Sequence, residues 1–125
     1  MYAMKIETIL IIDNDLRILS GISKLLEREG YKALTTSNSS EGLRMIKEQP
    51  VDLIILDGAL PELNEIKRLK TRKLIKNVAA IIMRSPTEGE KADLLPSFRS
   101  VEYLDKPFKA EELVAVVKKI SQSSL

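Results

Sequence analysis

Cysteine, histidine and tryptophan are all absent from this 125-residue chain. Without cysteine there is no disulfide, no thiol nucleophile and no zinc–thiolate centre. Without histidine the commonest general base and the commonest metal ligand are gone, so any chemistry falls to carboxylates, hydroxyls, lysines and the backbone. Aromatic residues make up 4% of the chain, too few for a platform on which single-stranded nucleic acid would stack. A charge imbalance is missing too: 20 Lys and Arg stand against 18 Asp and Glu, a net +2. That excess does not by itself imply binding of nucleic acid or a membrane surface. No apolar run has the length of a transmembrane helix, and residues 1–8 show no signal-peptide pattern. The expected location is therefore the cytoplasm, with no contact to membrane or nucleic acid. Internal repeats, low-complexity tracts and long linkers are likewise absent, and residues 121–125 read as a frayed end.

What is present fits one globular domain. Hydrophobic residues are 44% and charged residues 30% of the chain, and the length is enough for one buried core. The expected organisation is a single domain over 1–125, structured from about residue 6 to about residue 121. Thr8-Ile9-Leu10-Ile11-Ile12 is a continuous apolar run stopped by Asp13-Asn14-Asp15. A second run covers 51–56, broken only by Asp52 and stopping at Asp57-Gly58, and a third covers 78–83. Runs that are apolar on both faces predict buried parallel strands. The stretches 31–36 and 101–104 are shorter and more polar, as strands near a sheet edge would be.

Helical patterns separate these runs. Ile18, Leu19, Ile22, Leu25 and Leu26 recur at helical spacing, with Gly30 as a natural stop. Asn38 and Glu41 form a capping-box pattern opening a helix that carries Leu43 and Ile46 and ends before Pro50. Leu63, Ile66 and Leu69 mark a third helix. Thr87 with Glu90 opens a short fourth that Pro96 ends or kinks. Leu113, Val116, Val117 and Ile120 mark the fifth, with Lys118 and Lys119 at its negative end. Strands alternating with helices, joined by short right-handed crossovers, predict an α/β fold with a doubly wound parallel sheet of five strands. Ligands of such sheets bind beyond the carboxyl ends of the strands.

Those ends carry Asp13-Asn14-Asp15, Asp57, Ser85 and Lys106-Pro107. Crowded carboxylates repel unless a cation lies among them, and an all-oxygen site suits Mg²⁺ far better than zinc. A lysine and a hydroxyl beside such a cation supply what an incoming phosphoryl group needs. Each residue also has a plainer use. Asp13 and Asp15 fit turn and helix-cap positions, Asp57-Gly58 is a turn pair, and Ser85 before proline is an ordinary loop pair. Lys106 taken alone fits a solvated lysine, though its place before Pro107 at a strand end counts against that, and half-buried packing accounts for Tyr103 as well as a switching role does. Asp57 and Lys106 together favour Asp13 as a site residue and leave Asp15 as a cap.

Four segments in order resemble the signatures of response-regulator receiver domains of two-component signalling. They are Ile9-Leu10-Ile11-Ile12-Asp13-Asn14-Asp15, Asp52-Leu53-Ile54-Ile55-Leu56-Asp57 with Pro61 beyond, Ile82-Met83-Arg84-Ser85, and Tyr103-Leu104-Asp105-Lys106-Pro107-Phe108. The resemblance implies a flavodoxin-like fold with strand order 2-1-3-4-5. It implies a protein that accepts one phosphoryl group rather than an enzyme that turns over. Asp57 matches the aspartate that takes the group from a histidine kinase or phosphotransfer protein. Asp13, Asn14, Asp57 and the carbonyl of Ala59 match the Mg²⁺ ligands. Ser85 matches the switch hydroxyl, Lys106 the lysine that pairs with the phosphoryl group, and Tyr103 the switch aromatic. The Lys106–Pro107 bond resembles one that is cis in the family. Output, to another domain or a second copy, is implied through the face made by the fourth helix, fifth strand and fifth helix.

The chain departs from the family pattern at several positions. Asn14 is neutral where a carboxylate is usual, Glu65 replaces a glycine, Pro86 follows Ser85, Pro96 interrupts the fourth helix, and Ser100-Val101 replaces Gly-Ala. Asn14, Glu65 and Pro86 favour a second reading, a phosphorylation-independent pseudo-receiver acting as an interaction module, and intact Asp57, Ser85 and Lys106 oppose it. Asp13-x-Asp15 also resembles the nucleophile motif of haloacid-dehalogenase-type phosphatases, but Lys106 follows Asp57 in the chain, the wrong order for that family. A flavin-binding reading lacks a Gly-, Ser- or Thr-rich phosphate loop after the first strand.

Overall fold

The computed structural model describes residues 5–58, 75–85 and 98–122. Within them lie five strands: β1 (Thr8–Ile12), β2 (Lys32–Thr36), β3 (Leu53–Asp57), β4 (Ala79–Arg84) and β5 (Ser100–Asp105). All neighbours pair in parallel, in the order β2-β1-β3-β4-β5, as the resemblance implies. The described helices are α1 (Leu16–Arg28), α2 (Ser39–Glu48) and α3 (Ala110–Gln122). The expected third and fourth helices, with Ala59, Pro61, Glu65, Pro86 and Pro96, lie outside the described residues.

The continuous apolar runs exist because both faces of the central strands are covered. Ile9 and Ile11 of β1 point to one side, where Leu19, Ile22 and Leu26 of α1 and Leu113, Val117 and Ile120 of α3 pack on them. Leu10 and Ile12 point to the other side, against Leu43, Met45 and Ile46 of α2. The outer strands β2 and β5 are more exposed, which explains their mixed composition.

Local chemistry sets the ends of the elements. Asp15 is the N-cap of α1, its carboxylate accepting the Arg17 N–H at 2.9 Å. Gly30, at φ 95°, closes the same helix. Its N–H donates to the Glu27 carbonyl and the Tyr31 N–H to that of Leu26, a Schellman closure that needs the left-handed conformation glycine permits. At α2 the sequence expectation holds by half. Asn38 accepts the Glu41 N–H at 3.0 Å, but Glu41 does not return the bond. The Asn38 N–H goes instead to the Thr36 hydroxyl at 3.2 Å, because the chain turns straight out of β2 into the cap.

The second apolar run also needs correcting: β3 begins at Leu53, two residues later than the run, and includes Asp57. Asp52 turns its carboxylate to the N–H groups of Glu7 and Thr8, at 2.9 and 3.0 Å. It thus ties the start of β1 to the start of β3.

Candidate functional site

The carboxyl ends of β1, β3, β4 and β5 share one rim of the sheet. Asp13, the residue after β1, is fully buried. Its own N–H donates to the Thr36 carbonyl at 3.2 Å, so the backbone is fixed before the side chain is placed. The Asp15 N–H binds Asp13 Oδ1 at 2.8 Å, which turns Oδ2 toward the far side of the rim. Asp57 is the last residue of β3 and 8% exposed. The next residue, Gly58, donates its N–H to the Met83 carbonyl at 2.7 Å, anchoring the chain to β4.

Lys106 follows β5 and reaches back over the rim. Its Nζ lies 3.4 Å from Asp13 Oδ2 and 3.4 Å from Asp57 Oδ1. The Lys106 N–H donates to the Arg84 carbonyl at 2.8 Å, and the Lys106–Pro107 peptide bond is cis. Two carboxylates this far from water require a nearby cation or other charge-stabilising partners. Here one ammonium bridges them, a single formal positive charge against two carboxylates.

The other expected site residues fall as follows. Ser85 comes directly after β4, half-buried, on the same rim. Asn14 is exposed, next to Asp13. Ala59 is outside the described residues. Tyr103 sits half-buried in β5, against the side of the sheet that α2 covers. Asp15 is the helix cap foreseen; the Arg17 N–H holds its carboxyl below the ordinary carboxylate range. Among the described residues no three His, Cys, Asp or Glu side chains gather as a metal cluster. What the rim offers a cation is two carboxylates and neutral oxygens.

Two features went unread in the sequence. Arg84, quoted only as part of a motif, lays its guanidinium over the Tyr103 ring, 4.5 Å from the centroid. Its Nε also pairs with Asp105 at 2.7 Å. The second feature is a groove of about 620 Å³ beside the rim, lined by Ile18, Gly21, Ile22, Leu25, Phe108 and Ala110, with Lys106 also on its wall. Ile18, Ile22 and Leu25 of α1 were the available signal for the groove; Ile22 belongs to the core and the other two pack against it, so each reads equally well as core.

A sequence-family model described as "Response regulator receiver domain" matches residues 9–118. The chain belongs to the response-regulator receiver family. A transcriptional regulatory protein of Haemophilus influenzae, a CpxR homolog, is 32% identical over 93% of this chain and 51% of its own length. Sporulation initiation phosphotransferase F of Bacillus subtilis is 29% identical, over 90% of this chain and 92% of that protein. Among solved structures, a receiver domain protein of Clostridium thermocellum superposes with a TM-score of 0.76 at 31% identity, covering 92% of this chain and 94% of that one. The receiver chain spans about half the length of several curated relatives it matches, all transcriptional regulators. No described helix is long and apolar enough to cross a membrane.

Proposed function

We propose that this receiver accepts a phosphoryl group on Asp57 from the phosphohistidine of a partner kinase or phosphotransfer protein. The observation that carries the reading is the Lys106 ammonium held 3.4 Å from both Asp13 and Asp57 at the carboxyl edge of the sheet. In the transfer an Asp57 oxygen attacks phosphorus in line, the phosphorus–nitrogen bond of the donor breaks, and an acyl phosphate forms. The donor imidazole leaves with the electron pair and takes up a proton. In this reading Lys106 pairs with the added negative charge, and Ser85 donates a hydrogen bond to a phosphoryl oxygen.

The rim's donor set suits Mg²⁺, which asks for oxygen ligands and one or two carboxylates. Asp13 and Asp57 supply those, with Asn14 and the carbonyl of Ala59 as neutral donors. Bound there, the ion would supply charge neutralisation for the transferring oxygens. The groove along α1, with Lys106 on its wall, suits a contact with the donor protein beside the rim. The name of the sporulation phosphotransferase relative supports phosphoryl transfer. The extra length of the transcriptional relatives supports an output domain elsewhere, reached through the face that carries Tyr103. A phosphohistidine donor made from ATP makes the cytoplasm the place of action.

Intact-mass measurement after incubation with acetyl phosphate and Mg²⁺ tests the reading. The wild type should gain one phosphoryl group and Asp57→Asn none. Asn14→Asp should lower the Mg²⁺ concentration needed. If no Mg²⁺ concentration yields labelling, with acetyl phosphate or with phosphorylated donor proteins, the pseudo-receiver reading replaces this one.

A further inference from the structure

We propose that Arg84 is a positioning residue that locks the Tyr103 ring and so sets how readily the rim around Asp57 changes its arrangement. The proposal rests on the receiver reading above and adds a regulatory element to the same site. Three contacts converge on Arg84. Its guanidinium lies 4.5 Å from the Tyr103 ring centroid, within cation–π range. Its Nε is 2.7 Å from Asp105 Oδ1. Its carbonyl accepts the Lys106 N–H at 2.8 Å. One residue of β4 thus holds three separate residues of the last strand and the turn after it.

Register explains why they meet. Arg84 pairs with Asp105 across the β4–β5 ladder, and Tyr103, two positions back, shares the same face of β5. The planar guanidinium can stack on a ring and donate to a carboxylate at once, which a lysine ammonium does poorly. Its side chain is only 20% exposed, whereas that of Asp105 is 58% exposed, so the stacking on Tyr103 is the better shielded of the two interactions.

The lock is joined to the chemistry by chain connectivity. Ser85 is the residue after Arg84, and Lys106 is the residue after Asp105. The two groups placed to meet a phosphoryl group are therefore the direct neighbours of the lock's two charged members. A shift of either toward Asp57 strains the Arg84–Asp105 pair. By linkage, whatever favours the locked arrangement disfavours the one a phosphoryl group selects, by the same factor. A cation–π contact and a partly exposed ion pair together correspond to roughly a three- to tenfold change in that equilibrium.

The test uses three variants of the full chain. Arg84→Leu keeps bulk and removes the charge. Arg84→Lys keeps the charge and loses the planar fork. Asp105→Asn removes only the carboxylate's charge. Ring motion is read from aromatic NMR of tyrosine-labelled protein, with Tyr103 assigned through Tyr103→Phe. Binding of beryllofluoride with Mg²⁺ is measured on the same samples. The expected result is faster Tyr103 ring exchange in Arg84→Leu, with beryllofluoride bound roughly three- to tenfold tighter. Arg84→Lys and Asp105→Asn should fall between it and the wild type. Unchanged Tyr103 resonances in Arg84→Leu would overturn the lock. A loosened ring with unchanged beryllofluoride affinity would overturn its coupling to the rim. Failure of the wild type to bind beryllofluoride or to be labelled on Asp57 would overturn the receiver reading and the coupling with it, while the ring measurement still decides the lock.

Discussion

Replacing Lys106 by Met tests whether the ammonium is what permits two carboxylates to lie buried side by side. The substitution keeps most of the stem that lines the α1 groove and deletes the charge. Each Nζ–oxygen distance is 3.4 Å, which corresponds to a Coulomb attraction of about 5 kcal/mol at an effective dielectric of 20. Desolvation of the three groups cancels much of that, and breaking a buried pair costs ~3–5 kcal/mol in general. The lysine side chain is 28% exposed, so solvent screening lowers the expected loss to ~2–3 kcal/mol. For a chain of this length the thermal midpoint should then fall by roughly 10 °C. Urea unfolding followed by circular dichroism at neutral pH and low salt gives the number directly. A double-mutant cycle with Asp57→Asn isolates the pair and should show a coupling of ~1 kcal/mol or more. Added Mg²⁺ should restore part of the loss in Lys106→Met by mass action, since a bound cation replaces the missing charge. A loss under ~0.5 kcal/mol with coupling near zero would refute the electrostatic argument.

Three further outcomes follow from the fold. Ser39 is fully buried, and its hydroxyl has no hydrogen-bond partner among the described residues. Ser39→Ala should therefore raise the urea midpoint, by about 1 kcal/mol of stability, instead of lowering it. Asp52→Ala leaves the Glu7 and Thr8 N–H groups without their acceptor; it should cost ~1–2 kcal/mol and speed hydrogen exchange at those two amides. At Asp15 the folded pKa is lowered from 3.8, first by the Arg17 N–H. The cap's contribution is thus complete above the unfolded value and lost as pH falls through the lower folded one. The Arg17 amide resonance should report this, titrating at a pH below 3.8 and becoming flat in Asp15→Asn.

Hydrophobic patterning carries the central strands well because β1, β3 and β4 are covered on both faces, so nothing polar interrupts them between their caps. Edge strands are more mixed in composition, since β2 and β5 are half-exposed, yet their bounds differ from the expected stretches by one residue, no more than those of β3 and β4 do. Asp13, Asp57 and Lys106 were foreseen as neighbours because parallel topology sends every strand's end to one rim. The Asp52 clamp was not. It joins residues 45 positions apart, and in the sequence it reads only as a flaw in an apolar run. Arg84 escaped for a related reason. Which side chain crosses to the next strand depends on register, and apolar patterning does not specify register between two strands joined by a long crossover. Glu41 shows the opposite failure: the spacing matched a capping box, but the Asn38 N–H had a nearer acceptor in Thr36.

Strand β3 has a carboxylate at each end, and the two are put to different uses. Asp52, just before β3, spends its charge on backbone N–H groups; Asp57, at that strand's end, faces a lysine. Five residues of extended chain separate their Cα atoms by about 16 Å, about twice the ~8 Å Debye length at physiological ionic strength. Substitutions at the two ends should accordingly combine additively, within ~0.5 kcal/mol. A receiver of this build can therefore have its chemical rim disabled and its opposite rim reinforced in the same molecule, so that stability lost at the first is recovered at the second.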